Sequence, residues 1–118
     1  MKMTGTEQID APKQLVWEAL NDPEVLRRLA SLEFGVGRYE DAEEHLRLGT
    51  ELYPQHPEFA YSLGQVLRAQ SDQEGAVLAF ESVGADHPLY LEARLQLAIL
   101  YEEDGKPERA LEELELLR

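Results

Sequence analysis

The side chains of this sequence that could do chemistry are its histidines and its closely spaced carboxylates. His56 and His87 stand beside prolines, and His45 has no second histidine one helical turn away, so no two-histidine metal pair forms on a helix face. Glu40 and Glu44 share a helix face, but acid–base catalysis needs a cleft that separates the pKa values of two carboxylates. Solvated charge explains such pairs more simply. We predict a protein that is not an enzyme, with no catalytic residue, no metal and no cofactor.

Charge and composition exclude several classes of partner. The 24 acidic residues against 11 basic ones give a formal net charge of −13, which repels phosphate backbones and anionic lipid. We therefore expect no nucleic acid and no membrane among the partners. The sequence has no cysteine, no apolar run long enough to span a bilayer and no stretch that resembles a secretion signal. These features favour a soluble, cytoplasmic protein.

The elements that position the side chains follow an internal repeat. Ala42, Ala76 and Ala110 are spaced 34 residues apart, and each has a leucine thirteen residues before it and a large apolar residue four residues after it. Repeats of this length are typical of solenoids, in which stacked units share one continuous core. We predict that both columns line the interior. The leucines are Leu29, Leu63 and Leu97, and the large apolar residues are Leu46, Phe80 and Leu114.

These columns resemble the tetratricopeptide repeat family, whose units of this length pair two antiparallel helices. The resemblance covers about residues 23–118 and implies an all-α, right-handed helical solenoid. Arg94 stands where the family has a tryptophan, which predicts weaker packing of the first helix in the third unit. The expected units are 23–56, 57–90 and 91–118, after an N-terminal extension, 1–22, with room for a short helix. Prolines and turn residues predict helices at 23–34, 39–53, 57–70, 73–84, 89–103 and 107–117.

Small residues indicate where the helices approach each other closely. Ala30 opposite Ala42, and Gly64 opposite Ala76, are the expected crossing points. A glycine inside a helix costs about 1 kcal/mol relative to alanine, so Gly64 is interpreted as a packing requirement. Ser71 lies three residues before a glutamate, the spacing of a capping box at a helix start.

In the resembled family, the first helix of each unit lines a concave groove that takes an extended peptide or a helix. Carrying those positions over residue by residue implies a groove in which apolar side chains lie beside two arginines. Such a surface suits a partner protein that offers one hydrophobic and one acidic group. The predicted groove residues are Arg27, Ser31 and Phe34 in the first unit, Tyr61, Gln65 and Arg68 in the second, and Leu95, Ile99 and Glu102 in the third.

The last helix supports an alternative function. Leu114, Leu116 and Leu117 form an apolar face, and the end of a solenoid cannot bury its own face. Either the chain continues in a longer protein, or another copy covers the face, or its exposure is tolerated. The alternative is therefore a self-assembly module that forms a homo-oligomer through this helix or through the N-terminal segment.

The N-terminal segment carries a second resemblance. Residues 1–28, above all the stretch from Ala11 to Leu26, resemble the opening of a START-like family of carbon monoxide dehydrogenase subunits. That family has a helix-grip fold, in which this segment forms the first strand and first helix. No later segment alternates as the remaining strands require. The segment indicates either a hybrid chain or a capping helix that has converged on the same residues.

Overall fold

The computed structural model of the chain describes residues 21–117, which form helices and no strand. The predicted all-α fold is confirmed, and every helix boundary lies within three residues of the expected one. The predicted extension, 1–22, lies outside the described residues except for its last two. The helices are α1 (Pro23–Gly35), α2 (Tyr39–Leu52), α3 (Glu58–Ala69), α4 (Gln73–Glu81), α5 (Tyr90–Glu103) and α6 (Pro107–Glu115).

The helices form three pairs that stack in chain order. Each helix packs on the next one along the chain, and α1 also touches α3. The second helix of the first and second pairs therefore lies between its own first helix and the first helix of the following pair. Each pair is called a unit below, and its two helices are the first and second helix of that unit.

Acidic caps begin two of the helices. The Asp22 carboxylate accepts the Glu24 N–H at 2.9 Å, and Pro23 follows at the first helical position, where its missing N–H costs nothing. Asp72 caps α4 by accepting the Gly75 N–H at 3.0 Å. The expected capping box at Ser71 is therefore wrong, because the cap lies one residue later.

Ser71 instead belongs to the turn between the two helices of its unit. Its φ is +66°, and the equivalent Gly37 and Gly105 have φ of +86° and +74°. This left-handed conformation lets the chain reverse directly after the first helix, and glycine adopts it without a steric penalty. All three units use the same turn, and the second builds it with a residue that carries a side chain.

The predicted interior columns are buried in the middle of the stack and not at its ends. Leu63, Leu97 and Phe80 are buried, as is Leu46. The prediction is wrong at two positions, since Leu29 is only partly buried and Leu114 is exposed. Each lies on an outermost helix of the described stack, which has a neighbouring unit on one side only.

Two glycines lie where aromatic rings press against a helix backbone. A Cβ on Gly64 would come within 2.7 Å of Cε1 and Cζ of Phe80, so the ring, and not Ala76 as expected, fills the space above it. A Cβ on Gly49 would overlap with the ring of Phe59 in the next unit. Gly49 therefore sets the spacing between the first and second units, and Gly64 sets the spacing within the second.

Replacing Gly49 by alanine is expected to lower the free energy of unfolding by about 1–2 kcal/mol, because crowding a packed core costs about 1–3 kcal/mol and the better helix propensity of alanine returns only part of it. Urea denaturation followed by circular dichroism measures the change. Gly35→Ala is the control, since no atom lies within 4 Å of its Cβ position. Equal stability of the two variants would show that Phe59 does not need the missing side chain.

Candidate functional site

A small cleft lies between the first helices of the first and second units. It encloses about 100 Å³ and brings together four of the predicted groove residues, Arg27, Ser31, Phe34 and Gln65. It is called the first-helix groove below. Its lining is Arg27, Ala30, Ser31 and Phe34 from α1, Ser62, Gln65 and Val66 from α3, and Leu46 from α2.

Helix geometry explains why these side chains meet. Arg27, Ser31 and Phe34 follow the i, i+4, i+7 spacing, which places them on one face of α1. Ala30 is buried beside them, and its small side chain allows the neighbouring helix to approach. The Phe34 ring lies 5.3 Å from the ring of Tyr39, which holds it at the end of the groove. The groove therefore has a polar middle and an aromatic end.

Arg27 supplies the positive charge of the groove. Its Nη2 donates to Oε1 of Glu24 at 2.6 Å, and both side chains are exposed. The hydrogen bond from Arg27 and the positive charge of Arg27 lower the pKa of the Glu24 carboxyl. Exposed ion pairs contribute little free energy because water competes for both partners. An incoming carboxylate can therefore replace Glu24 at small cost.

Tyr61 follows on α3, with its ring partly buried against Phe80 at a centroid distance of 5.4 Å. Burial and the nearby negative charge of Glu92 raise the pKa of the Tyr61 phenol. The hydroxyl therefore keeps its proton at neutral pH and can donate a hydrogen bond. Because the ring also supports the core, Tyr61 joins the candidate surface to the packing beneath it.

Arg68, the second predicted arginine, is engaged within the protein. Its Nη1 donates to Oε1 of Gln96 at 2.9 Å, and its Nη2 donates to Oε2 of Glu103 at 2.8 Å. Neither partner was predicted from the sequence, although their spacing of seven residues places them on one face of α5. Arg68 thus ties the second unit to the third.

The third-unit residues stand apart from the groove. Leu95 and Glu102 are exposed and Ile99 is partly buried, and none of the three lines the first-helix groove. The structure therefore groups the predicted residues of the first unit with part of the second. Their role in binding remains a prediction.

The three histidines have carboxylate neighbours. His45 Nδ1 lies 2.8 Å from Oε1 of Glu33, and both side chains are largely buried between α1 and α2. His56 and His87 approach Glu58 at 4.0 and 3.7 Å, and His87 Nδ1 accepts the backbone N–H of the residue two positions later. These contacts link helices and turns, which fits a structural role.

Residues 21–117 lack two features that other functions would require. No group of three or more histidine, aspartate or glutamate side chains in this range could hold a metal ion. No helix in the same range is long and apolar enough to cross a membrane. The absence of catalysis and the cytoplasmic location remain predictions.

The fold is shared with solved structures of MamA. One crystal structure of the MamA protein superposes with a TM-score of 0.75 at 21% identity, over 86% of this chain and 57% of that one. Another crystal structure of MamA gives a TM-score of 0.73 at 22% identity, over 91% of this chain and 72% of that one. The chain thus spans little more than half of the first structure. No curated protein matches the sequence significantly.

A family model identifies the repeats directly. The tetratricopeptide repeat model matches residues 27–86, just over half of the 118-residue chain, and so covers α1 to α4. The resemblance of residues 1–28 to START-like carbon monoxide dehydrogenase subunits concerns mostly residues outside the described range and remains a prediction. With the helix pairs, the 34-residue spacing and the matched model in agreement, the chain belongs to the tetratricopeptide repeat family of protein–protein interaction modules.

Proposed function

We propose that the chain binds a peptide or helical segment of a partner protein in the first-helix groove. The observation that carries this proposal is the convergence of Arg27, Ser31, Phe34 and Gln65, from two different units, on one cleft. A cleft built from two units recognises a segment that crosses both, and its shape depends on the stack as a whole.

The chemistry of the groove favours a partner with one carboxylate beside one apolar side chain. Arg27 is held only by an exposed glutamate, so its guanidinium is available for a bidentate contact. The Phe34 ring offers an apolar surface at the end of the same helix face. Arg68 is not part of this recognition, because Gln96 and Glu103 already occupy its donors. The net charge of −13 disfavours nucleic acid as the partner.

Arg27→Glu tests this proposal. Selection from a random peptide library on the unmodified protein should enrich peptides with an acidic residue close to an apolar one. Isothermal titration with the enriched peptides should then show a loss of affinity of about ten- to a hundredfold for Arg27→Glu, which matches the free energy of a hydrogen bond to a charged group.

Arg47→Glu is the matched control. Arg47 is exposed and also pairs with a glutamate one helical turn away, at 2.9 Å, but it lies on the second helix of the first unit. It should bind the selected peptides as the unmodified protein does. Selected peptides that bind Arg27→Glu at full affinity would contradict the proposal.

A further inference from the structure

The two ends of the stack expose the same columns that are buried inside it. At the back of the stack, Leu114 is 41% exposed, whereas Leu46 and Phe80, its equivalents in the 34-residue register, are buried. Both of these lie on second helices that the next unit covers. Among the described residues, no first helix follows α6 to cover Leu114.

The front of the stack shows the complementary situation. Leu32 on α1 is 64% exposed, whereas its equivalents Val66 and Leu100 are buried against the preceding unit. Leu29 is partly buried, and its equivalents in the other two units are buried. The surface that α1 presents is therefore of the kind that covers Leu46 within the chain.

A third position distinguishes the ends from the internal boundaries. Between the first and second units, Nε2 of Gln70 donates to Oε1 of Glu43 at 2.8 Å. The register places Val36 of α1's C-terminal turn and Leu111 of α6 at these two positions. Both are apolar and exposed, at 71% and 57%. A hydrogen-bonded pair inside the stack thus becomes an apolar pair where the back of one copy would meet the front of another.

We propose that the back face, defined by Leu111 and Leu114, docks on the front face, defined by Leu32 and Val36, of a second copy of this chain. The contact repeats the boundary between the first and second units. It joins two different surfaces, so it leaves one free face at each end and builds an open, head-to-tail assembly instead of a closed dimer. Because each copy carries a net charge of −13, screening by salt strengthens the association.

The experiment uses the full chain with a charge placed on either face. In sedimentation velocity at moderate salt, the average mass of the unmodified protein should rise steadily with concentration and pass beyond a dimer. Leu32→Glu and Leu114→Glu should each remain monomeric, since burying an unpaired carboxylate is costly. An equimolar mixture of the two variants should form a dimer that grows no further, because each variant keeps the face that the other has lost.

The control is Leu78→Glu, which adds the same charge at a leucine that is 68% exposed on the middle unit. It should assemble like the unmodified protein. Leu111→Glu provides a second back-face variant in case Leu114→Glu unfolds, and circular dichroism checks the fold of each.

Several outcomes would overturn the proposal. A monomer at all concentrations would mean that other residues, such as 1–20, occupy the front face. Assembly that Leu114→Glu abolishes and Leu32→Glu leaves intact would indicate two back faces in contact. A mixture of the two variants that stays monomeric would exclude the head-to-tail contact.

Discussion

Replacing Phe80 by alanine is expected to lower the free energy of unfolding by about 3–5 kcal/mol, the usual cost of removing a buried aromatic side chain. The Phe80 ring is fully buried, packs edge-on against the Tyr61 ring at 5.4 Å and lies directly over Gly64. The neighbouring backbone cannot collapse into the cavity without separating α3 from α4. Because Phe80 belongs to the middle unit, its loss weakens the contacts to both neighbours, and cooperativity between the units should fall as well.

Urea denaturation followed by circular dichroism measures both effects, as a lower midpoint and a broader transition. Leu78→Ala is the matched control, since Leu78 lies on the same helix but is mostly exposed, and its replacement should change stability by no more than about 0.5 kcal/mol. If Phe80→Ala cost no more than Leu78→Ala, the ring would not be the centre of the core.

The second large effect is expected for Glu113→Ala, which should lower the free energy of unfolding by about 2–4 kcal/mol, slightly less than the usual cost of breaking a fully buried ion pair. Nη1 of Arg94 donates to Oε1 of Glu113 at 2.8 Å, and the two side chains are only 18% and 7% exposed. Burial alone would lower the pKa of the Arg94 guanidinium, but the hydrogen bond with Glu113 and the charge of Glu113 outweigh it and raise that pKa. Without Glu113, a charged group is left unpaired between α5 and α6.

A double-mutant cycle separates the pair from its surroundings. The equivalent positions in the second unit are Ala60 and Ala79, so Arg94→Ala combined with Glu113→Ala rebuilds a pair that this protein already uses. The double variant should be more stable than the sum of the single losses predicts, because it leaves no charge unpaired. Additive losses would show that the two side chains act independently.

Asp41→Ala is the surface comparison for this cycle. Arg38 and Asp41 also pair, at 3.0 Å, but both are exposed, so the loss of one partner should cost less than about 1 kcal/mol. A cost equal to that of Glu113→Ala would mean that burial does not decide the strength of these pairs.

The fold was largely predictable from local patterns. The 34-residue spacing located all six helices, because a repeat places the same helix starts, turns and apolar positions in every unit, and errors in one unit are corrected by the others. Four of the predicted groove residues lie together for the same reason, since helical spacing orients side chains on one face. The cap at Asp72 was missed because Ser71 and Asp72 are both good cap residues, and the turn conformation decides between them.

The contacts that cross between helices could not be predicted in this way. Arg94 indicated weaker packing in the third unit, yet its pairing with Glu113 satisfies most of its polar atoms; only its Nε is buried without a partner among the described residues. Arg68 was assigned to the groove, yet Gln96 and Glu103 hold it. Each contact joins residues far apart in the chain, whose distance depends on how the helices cross.

By itself, the sequence determined that this protein is a stack of three helix pairs, carries no paired histidines on one helix face and presents a mixed polar and apolar face on its first helices. These properties depend on spacing along the chain, which the residues state directly. Only the tertiary structure decided that Arg27 is the available arginine of the groove, that Arg68 holds the second and third units together and that Leu32 and Leu114 lie exposed at opposite ends. These properties depend on which surfaces meet when the units stack, because the same residue type is buried at an internal boundary and exposed at the end of the stack.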